Sequence, residues 1–366
     1  MVEKLKVGLI GVGMMGNEHL RNLELMPDAH VAAIADPTPG SLDWARATLG
    51  DKADGVEAFA DGAEMLAKVE LDAVIIVSPN FTHRKVLEAA LATNVAILCE
   101  KPLCSDLADA RWAAETAEAR TAKTGALFWT AMEYRFMPPA AEFIRRVHAG
   151  DVGKLAMLSI REHRFPFLVK VGDWNRFAAN TGGTMVEKCC HFFDLMRLIT
   201  RAEPASVFCS GAMDVNHLDE RYDGKTPDII DNSYTVVEFD NGVRAMLDLC
   251  MFAEGVEEQE TLTATGSEAR LEALIPPGDL VFAPRVPLGS PKKMVREHVP
   301  VDEAAMKAGT HHGSTFYQLR AFLDAVRDGG APAVTARDGL MAVAIGTAAE
   351  ISAREKRVVT LAELGF

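Results

Sequence analysis

The sequence predicts an α/β fold with an N-terminal doubly wound parallel sheet and a C-terminal α+β domain built on a mostly antiparallel open sheet. Strand-like and helix-like stretches alternate over residues 6–129, a glycine-rich turn follows the first strand-like run, and beyond residue 138 strand-like runs follow one another. At roughly 150 residues per domain, a chain of 366 residues divides into about two. We expect a dinucleotide-binding domain over residues 1–130 and a substrate-binding and oligomerisation domain over residues 131–366.

Five short apolar runs are the predicted strands of the first domain. Their almost continuous Val, Ile, Leu and Ala content is typical of parallel strands that helices cover on both faces. The runs are residues 6–10, 31–35, 73–77, 95–99 and 126–129.

Turn signals organise the second domain. Asn241-Gly242 separates strand-like residues 236–239 and 243–249, and Gly266 separates 259–264 from 269–274, so each pair predicts a hairpin. The Pro-rich stretch 276–293 is predicted to be a surface loop. Amphipathic stretches at 315–327 and 336–354 predict two final helices, which can pack back on the first domain.

Charge and cysteine content exclude several functional classes. With 38 basic against 52 acidic side chains the net charge is −14, and no stretch concentrates Lys and Arg. Nucleic acid and anionic membranes are therefore not expected as partners. None of the six cysteines has a zinc-type or CxxC spacing, so we expect free thiols, a cytoplasmic location and no metal.

The glycine-rich turn matches a dinucleotide-binding fingerprint of the Rossmann type. Its residues follow a predicted strand and open a predicted helix, whose N-terminal N–H groups can hold a pyrophosphate. Asp36 ends the next strand, where a carboxylate binds ribose hydroxyls and repels a 2′-phosphate, so NAD is favoured over NADP. The predicted phosphate-binding residues are Gly11, Gly13, Met14, Met15 and Gly16. A glycine-rich turn without a nucleotide is the alternative.

A polar loop, Ser78 to His83, follows the strand predicted at 73–77. Ligands of open α/β sheets bind at the carboxyl ends of the strands, so Ser78, Asn80 and His83 are candidates to line the cofactor. A Pro-Asn turn in which His83 caps the next helix explains the same residues equally well.

Glu100-Lys101-Pro102 follows the strand predicted at 95–99. Together with the N-terminal fingerprint and the antiparallel second domain, this motif resembles the Gfo/Idh/MocA family of NAD(P)-dependent oxidoreductases that act on sugars and inositols. The resemblance extends over essentially the whole chain. It implies that Glu100 and Lys101 lie at the cofactor and that Lys101 lies beside the nicotinamide and the substrate hydroxyl. A lysine held near that cationic ring, and partly desolvated, exchanges a proton with an alcohol more readily.

A second candidate cluster follows Gly182-Gly183. On one continuous helix, Glu187, His191 and Asp194 would share a face, since they are spaced by four and three residues. A polar helix face with His191 in the core is the alternative. The resemblance implies that His191 lies near the substrate carbon, with Glu187 where an Asp is more usual. Lys188 is atypical and can add positive charge, so Lys188 and Asp194 join the candidate substrate-binding residues.

Residues 161–176 hold four basic side chains and two acidic ones in an acidic chain. Arg164 and Arg176 are candidates to bind an anionic group of the substrate, and Trp174 to stack on a sugar ring. Surface arginines paired with neighbouring acids are the alternative. His312, before the helix predicted at 315–327, is a further candidate for the substrate cleft.

The leading hypothesis is an NAD-dependent oxidoreductase that moves a hydride between the nicotinamide and a hydroxyl-bearing carbon of a sugar, sugar acid or inositol-like polyol. Lys101 would exchange the hydroxyl proton, His191 would act as acid/base or orient the hydroxyl, and Glu187 would tune both. One alternative is an NAD-dependent glycoside hydrolase that works through a transient ketosugar, with an anionic glycoside as a candidate substrate. Another is a non-catalytic sensor of NAD or sugar. The resemblance also implies a homodimer or homotetramer.

Overall fold

The computed structural model describes residues 4–366 and divides the chain into two compact units. The first unit comprises Met1–Glu133, Lys170–Trp174 and Asp302–Val343, and the second comprises Tyr134–Val169, Asn175–Val301 and Ala344–Phe366. The sequence placed one boundary at residue 130, whereas the structure also assigns residues 302–343 to the first unit.

The first unit is built on a six-stranded, fully parallel sheet in the order β3-β2-β1-β4-β5-β6. Its strands are β1 (Leu5–Ile10), β2 (Ala29–Ala35), β3 (Glu57–Phe59), β4 (Ala73–Ile76), β5 (Ala96–Glu100) and β6 (Phe128–Ala131). This is the strand order of a Rossmann sheet, with the switch point between β1 and β4. The predicted doubly wound parallel sheet is confirmed. The sequence analysis missed β3, an edge strand of three partly exposed residues.

The second unit holds a nine-stranded sheet in the order β14-β13-β12-β11-β7-β10-β9-β8-β15. Every pair is antiparallel except β7 with β10, so the predicted, mostly antiparallel sheet is confirmed. Its strands are β7 (Leu155–His163), β8 (Pro204–Ala212), β9 (Asn232–Phe239), β10 (Arg244–Cys250), β11 (Glu260–Gly266), β12 (Ala269–Ile275), β13 (Asp279–Pro284), β14 (Val295–His298) and β15 (Val359–Thr360).

Twelve α-helical segments accompany the two sheets in the described part of the chain. They are α1 (Met14–Glu24), α2 (Pro39–Leu49), α3 (Gly62–Lys68), α4 (His83–Leu91), α5 (Leu107–Thr124), α6 (Pro138–His148), α7 (Ala178–Thr181), α8 (Thr184–Glu187), α9 (Cys190–Thr200), α10 (Glu303–Ala308), α11 (Ser314–Asp328) and α12 (Ala336–Glu355). In the first unit α10 and α11 lie against α1, and in the second α6 lies against β11, β12 and β13. None of the helices described over residues 4–366 combines the length and apolar character needed to cross a bilayer.

The segment 276–293 was predicted as a surface loop, and this prediction is wrong for its first half. Residues 279–284 form β13, which pairs with β12 on one side and with β14 on the other. Gly278 makes the turn with φ +81°, a conformation that favours glycine. The prolines that suggested a loop, Pro276 and Pro284, stand just before β13 and at its last residue, where a strand tolerates them.

Candidate active site

In the first unit, the predicted cofactor-binding residues follow four parallel strands at their carboxyl ends. The glycine turn follows β1, Asp36 follows β2, Ser78 lies two residues beyond β4, and Lys101 follows β5. Parallel strands end at the same edge of their sheet, and open α/β sheets bind ligands there. The structure therefore brings these residues to one edge.

The glycine turn contains two positions that only glycine can occupy and one position that is open. Gly11 has φ +92°, and a Cβ there would lie 2.6 Å from the backbone nitrogen of Ser78. A Cβ on Gly16 would collide with the carbonyl oxygen of Gly11, so both positions need glycine. Nothing lies within 4 Å of where a Cβ on Gly13 would stand. Since α1 begins at Met14, this open space adjoins the first N–H groups of a helix, a setting that suits a phosphate.

Asp36 is held in place at the end of β2 by two backbone N–H groups. Val12 donates to Oδ2 at 2.9 Å and Thr38 donates to Oδ1 at 2.8 Å. Residues 37–40 hold no Lys or Arg that could receive a 2′-phosphate. This carboxylate fits the ribose diol of NAD.

His83 links the polar loop after β4 to the Glu100-Lys101-Pro102 motif after β5. The ring is fully buried, with Nδ1 2.9 Å from the carbonyl oxygen of Pro102 and Nε2 3.0 Å from that of Ser78. Burial lowers the pKa of His83 against the influence of these carbonyls. These contacts give His83 a structural role, but not the predicted alternative of a helix cap, because the N-cap of α4 is Thr82 and has no side-chain hydrogen bond. Asn80 is buried beside it, and Phe81 meets Trp174 edge-on with ring centroids 5.9 Å apart.

Glu100 ties the motif that contains Lys101 to the helix at the glycine turn. Its carboxylate oxygens lie 2.8 Å from His19 Nε2 in α1 and 3.1 Å from the Lys101 backbone N–H, which donates. Burial alone would raise the pKa of Glu100, but the His19 hydrogen bond and the charges of His19 and Lys101 lower it. Glu100 therefore stabilises the backbone at Lys101 as a buried anion.

A neighbouring group of buried polar residues escaped the sequence analysis. Glu18 in α1 accepts hydrogen bonds from Thr310, through N–H and Oγ1, and from Thr315 Oγ1, and lies 3.0 Å from His311 Nδ1. These contacts outweigh burial and lower the pKa of Glu18 to about 2. Glu133, 3.9 Å from His311 Nε2, has its pKa raised to about 7 by burial. The sequence contains one signal of this group. Four polar residues occupy positions of α1 that are buried, where apolar side chains are usual: Asn17, Glu18, His19 and Asn22.

The second unit contains Glu187 and His191, but not on one helix as predicted. Glu187 ends α8 and His191 is the second residue of α9. The backbone N–H groups of Lys188 and Cys189 both donate to the Thr184 carbonyl, and the bonds that begin α9 start only from the Cys189 carbonyl. This change of hydrogen-bond register divides the segment into two helices, so the prediction of one continuous helix through Glu187, His191 and Asp194 is wrong.

Three buried side chains around His191 have well-defined partners in the second unit. Tyr134 stacks on His191 with ring centroids 4.1 Å apart and planes 7° from parallel. Lys188 Nζ donates to Tyr134 Oη at 2.6 Å and lies 2.9 Å from Glu162 Oε1. Asp194 accepts two hydrogen bonds of 2.5 Å from the Arg135 guanidinium. The structure thus places Lys188 and Asp194 in ion pairs within the fold.

The arginines predicted to bind an anionic substrate also have carboxylate partners. Arg164 Nη1 lies 3.3 Å from Glu162, and Arg176 Nε donates to Glu220 at 3.0 Å. Both residues have little exposure. These contacts agree with the alternative of arginines paired with neighbouring acids.

His312 adjoins His311 in the first unit and has φ +52°. Over residues 4–366, no group of three or more His, Cys, Asp or Glu side chains is arranged to hold a metal ion.

Comparison with known proteins covers both units. Residues 5–127 match the Gfo/Idh/MocA oxidoreductase family, NAD-binding Rossmann fold, and residues 144–361 match the C-terminal alpha/beta domain of the same family. The chain is 29% identical to a myo-inositol 2-dehydrogenase of Thermotoga maritima, over 98% of this chain and 99% of the relative. It is 27% identical to a Bacillus subtilis scyllo-inositol 2-dehydrogenase (NAD(+)), over 99% and 97%.

Solved structures agree with these matches. A probable dehydrogenase from Thermotoga maritima superimposes with a TM-score of 0.76 at 26% identity, covering 98% of this chain and 99% of that one. The two family matches account for most of the sequence, and their NAD-binding part contains the glycine turn, Asp36 and Lys101. The chain therefore belongs to the Gfo/Idh/MocA family of oxidoreductases, with an NAD-binding Rossmann domain.

Proposed function

We propose that this protein is an NAD-dependent dehydrogenase of a cyclic polyol of the inositol type or a related sugar. The observation that carries the proposal is the nearly full-length similarity to two inositol 2-dehydrogenases. The position of Lys101, at the same sheet edge as the glycine turn and Asp36, supports it.

The proposed reaction oxidises a secondary alcohol to a ketone. When bound, NAD supplies the two-electron acceptor that takes the hydride from carbon. We assign the hydroxyl proton to Lys101 Nζ, which has to be neutral to accept it. Glu100 supports this step by holding the Lys101 backbone N–H at 3.1 Å, and His19 holds Glu100 in turn.

We assign to His191 the role of a second acid/base group, or of a group that orients the hydroxyl. Its ring is 2% exposed and is stacked on Tyr134, so its orientation is fixed before any substrate binds. Glu187, also buried, is proposed to tune His191 and the hydroxyl through hydrogen bonding and charge.

We propose a neutral substrate rather than an anionic one. Arg164 and Arg176 are each engaged by a carboxylate of the second unit, and Lys188 is engaged by Glu162. If Arg164 and Lys188 turned from Glu162 to a substrate anion, the buried Glu162 carboxylate would be left uncompensated, which is costly. A polyol recognised through hydroxyl groups makes no such demand.

The decisive assay follows NADH formation with a panel of inositols, neutral sugars and sugar acids. We expect NADH with an inositol or a neutral sugar, and a fall in kcat of about 10²- to 10⁴-fold in Lys101→Met with NAD affinity preserved. Aglycone release from a glycoside without net NADH would replace the dehydrogenase with the glycoside hydrolase. If Lys101→Met retained full function, a non-catalytic sensor would be the better explanation.

We also propose that the second unit forms a homo-oligomer, a dimer or a tetramer, through the outer face of its sheet. Phe208, Val236 and Met246 lie side by side across β8, β9 and β10, and the first two are 41% and 37% exposed. A row of apolar side chains on an open sheet favours association. Val236→Glu should shift the mass measured by light scattering towards the monomer, and a monomeric wild type would contradict the proposal.

A further inference from the structure

The stack of Tyr134 on His191 lies within a buried part of the second unit. Tyr134 is 3% exposed and His191 is 2% exposed. Phe192 meets the Tyr134 ring edge-on, with centroids 5.7 Å apart. The imidazole therefore has one face covered by a phenol ring that is itself held by packing.

Lys188 contacts the hydroxyl group of Tyr134. It lies in the two-residue turn between α8 and α9 and is 5% exposed. Its ammonium group contacts two partners at once, Tyr134 Oη at 2.6 Å and Glu162 Oε1 at 2.9 Å. The route from the carboxylate of β7 to the imidazole of α9 is thus continuous: Glu162, Lys188, Tyr134, His191.

The charged groups around Lys188 come from two strands and the loop after β7. Glu162 lies on β7, Arg164 follows that strand and lies 3.3 Å from the Glu162 carboxylate, and Glu260 is the partner of Glu162 in the register of β11 with β7. Burial, and then the proximity of Glu162, raise the pKa of Glu260 to about 8. With Glu260 protonated, the two cations outnumber the single anion Glu162.

Burial and the charge of Arg164 lower the pKa of Lys188, while Glu162 and Glu260 oppose that change. The carboxylate at 2.9 Å favours the ammonium form, the form that donates to both oxygens.

We propose that Lys188 and Tyr134 are a positioning pair for His191: Lys188 fixes the phenol, the phenol ring fixes the imidazole plane, and the buried ammonium disfavours protonation of the imidazole. The inference rests on the proposed function, because it gives a purpose to a neutral, oriented His191. It also replaces the sequence-based prediction that Lys188 binds the substrate.

Two variants separate the two parts of this role. Lys188→Met keeps the length of the side chain and removes the charge, whereas Tyr134→Phe keeps the stacked ring and removes only the oxygen that Lys188 contacts. The measurements are kcat and KM for the polyol, the pH profile of kcat/KM, and the NMR titration of the His191 ring in the NAD-bound enzyme.

For Lys188→Met we expect kcat to fall about tenfold or more with KM within about twofold. Its His191 titration should move upward by about one pH unit, because a nearby buried cation is gone. For Tyr134→Phe we expect a loss of about fivefold in kcat and a much smaller change in the titration, because the ring and the ammonium remain.

Arg197→Gln is the matched control. Arg197 lies on the same helix as His191 and pairs with Glu203 at 2.6 Å, in a more exposed position. This variant should leave the kinetics and the His191 titration unchanged. An unchanged titration and kcat in Lys188→Met would overturn the inference, as would a loss of thermal stability alone.

If Lys188→Met does not fold, Tyr134→Phe decides the matter, since it leaves the Lys188–Glu162 pair in place. An unchanged kcat in that variant would also overturn the inference. His191→Asn distinguishes the proposals: full activity in that variant would remove the role assigned to His191 in the proposed function. The NMR titration of folded Lys188→Met tests the effect of Lys188 on the ring whether or not His191 takes part in the reaction.

Discussion

In the first unit three buried carboxylates face histidines, whereas in the second unit two buried carboxylates face a lysine and an arginine. The first group, the histidine cluster, consists of Glu18, Glu100, Glu133, His19 and His311. The second, the lysine cluster, consists of Glu162, Glu260, Lys188 and Arg164. An imidazole can lose its positive charge near neutral pH, but a guanidinium cannot.

The two clusters can therefore support a reaction that releases a proton in two different ways. The histidine cluster includes Glu133, whose pKa of about 7 and whose neighbour His311 allow its charge to change near neutrality. The lysine cluster holds Arg164, which remains charged, beside the turn that carries Lys188 and leads to His191. The first cluster can exchange protons through its imidazoles and Glu133, whereas in the second Arg164 keeps its positive charge while Glu260, with a pKa of about 8, titrates beside it.

The largest expected effect comes from breaking the lysine cluster. Glu162→Leu leaves Lys188 and Arg164 buried without the carboxylate between them, which should lower the free energy of unfolding by about 3–5 kcal/mol. Urea unfolding measures the loss. The double variant Glu162→Leu/Lys188→Met should recover part of it, because one uncompensated cation is gone. Strictly additive losses would show that the two residues are not coupled.

Breaking the histidine cluster should cost less, because its cations can become neutral. Glu18→Gln replaces acceptor oxygens that face donors from Thr310, Thr315 and His311, with an expected loss of about 2 kcal/mol. Hydrogen exchange at the Thr310 amide should accelerate. Glu24→Gln, on the same helix but in a surface pair with Lys52, is the control and should change stability by less than about 0.5 kcal/mol. Equal losses in both variants would contradict the assignment.

The pH dependence of stability sharpens the comparison. The folded pKa values of Glu133 and Glu260, about 7 and 8, lie above the ordinary value, so the folded protein keeps protons that the unfolded chain has lost. The stability that they contribute is complete below about pH 4.5 and is lost as the pH rises, by up to about 1.4 kcal/mol per pH unit for each group. Glu260→Gln should flatten this decline up to about pH 8 and Glu133→Gln only up to about pH 7.

The partly exposed Glu142→Gln serves as the control for both variants in unfolding experiments across this pH range. Glu142 pairs with Arg145 on the surface of α6, and its pKa is lowered by that hydrogen bond, so its removal cannot flatten the decline. Identical slopes in all four proteins would rule out a proton held by either buried glutamate.

The smallest expected effect on stability belongs to Asp36→Ala, which leaves both clusters intact. It removes the acceptor for the Val12 and Thr38 N–H groups, at a cost of about 1 kcal/mol. Its effect on cofactor binding should be larger, with Kd for NAD raised about tenfold or more and the preference over NADP reduced. Calorimetric titration with both nucleotides checks this. An unchanged preference for NAD over NADP would show that Asp36 does not bind the ribose.

Local sequence patterns predicted most of the fold. The first-unit strands follow from continuous apolar runs, and the hairpin of β9 and β10 follows from Asn241-Gly242, because these signals depend on neighbouring residues. The three-residue β3 and the strand β13 were missed. β3 takes its conformation from pairing with β2, which is distant in sequence, and no local periodicity records that pairing. β13 pairs with the neighbouring β12, but the prolines at its two ends suggested a loop.

The candidate site likewise contains residues that local sequence predicts and residues that it does not. The positions of Gly11, Gly16 and Asp36 were predictable because they are set by one continuous strand–turn–helix–strand segment, from β1 through α1 to the end of β2. The partners of Lys188 were not, since Glu162 and Tyr134 are distant in sequence and meet it only in the folded unit. A break of hydrogen-bond register at Cys189 likewise leaves no trace in a spacing that suits one helix.

The ends of the second sheet have a consequence for solubility at high concentration. Its outermost strands are β14, four exposed residues that include Arg296, Glu297 and His298, and β15, only two residues long. Short and charged borders are poor templates for another chain to extend by main-chain hydrogen bonds. Growth of the sheet into fibrils is thereby discouraged, so the self-association proposed above uses the broad face of the sheet rather than its edges.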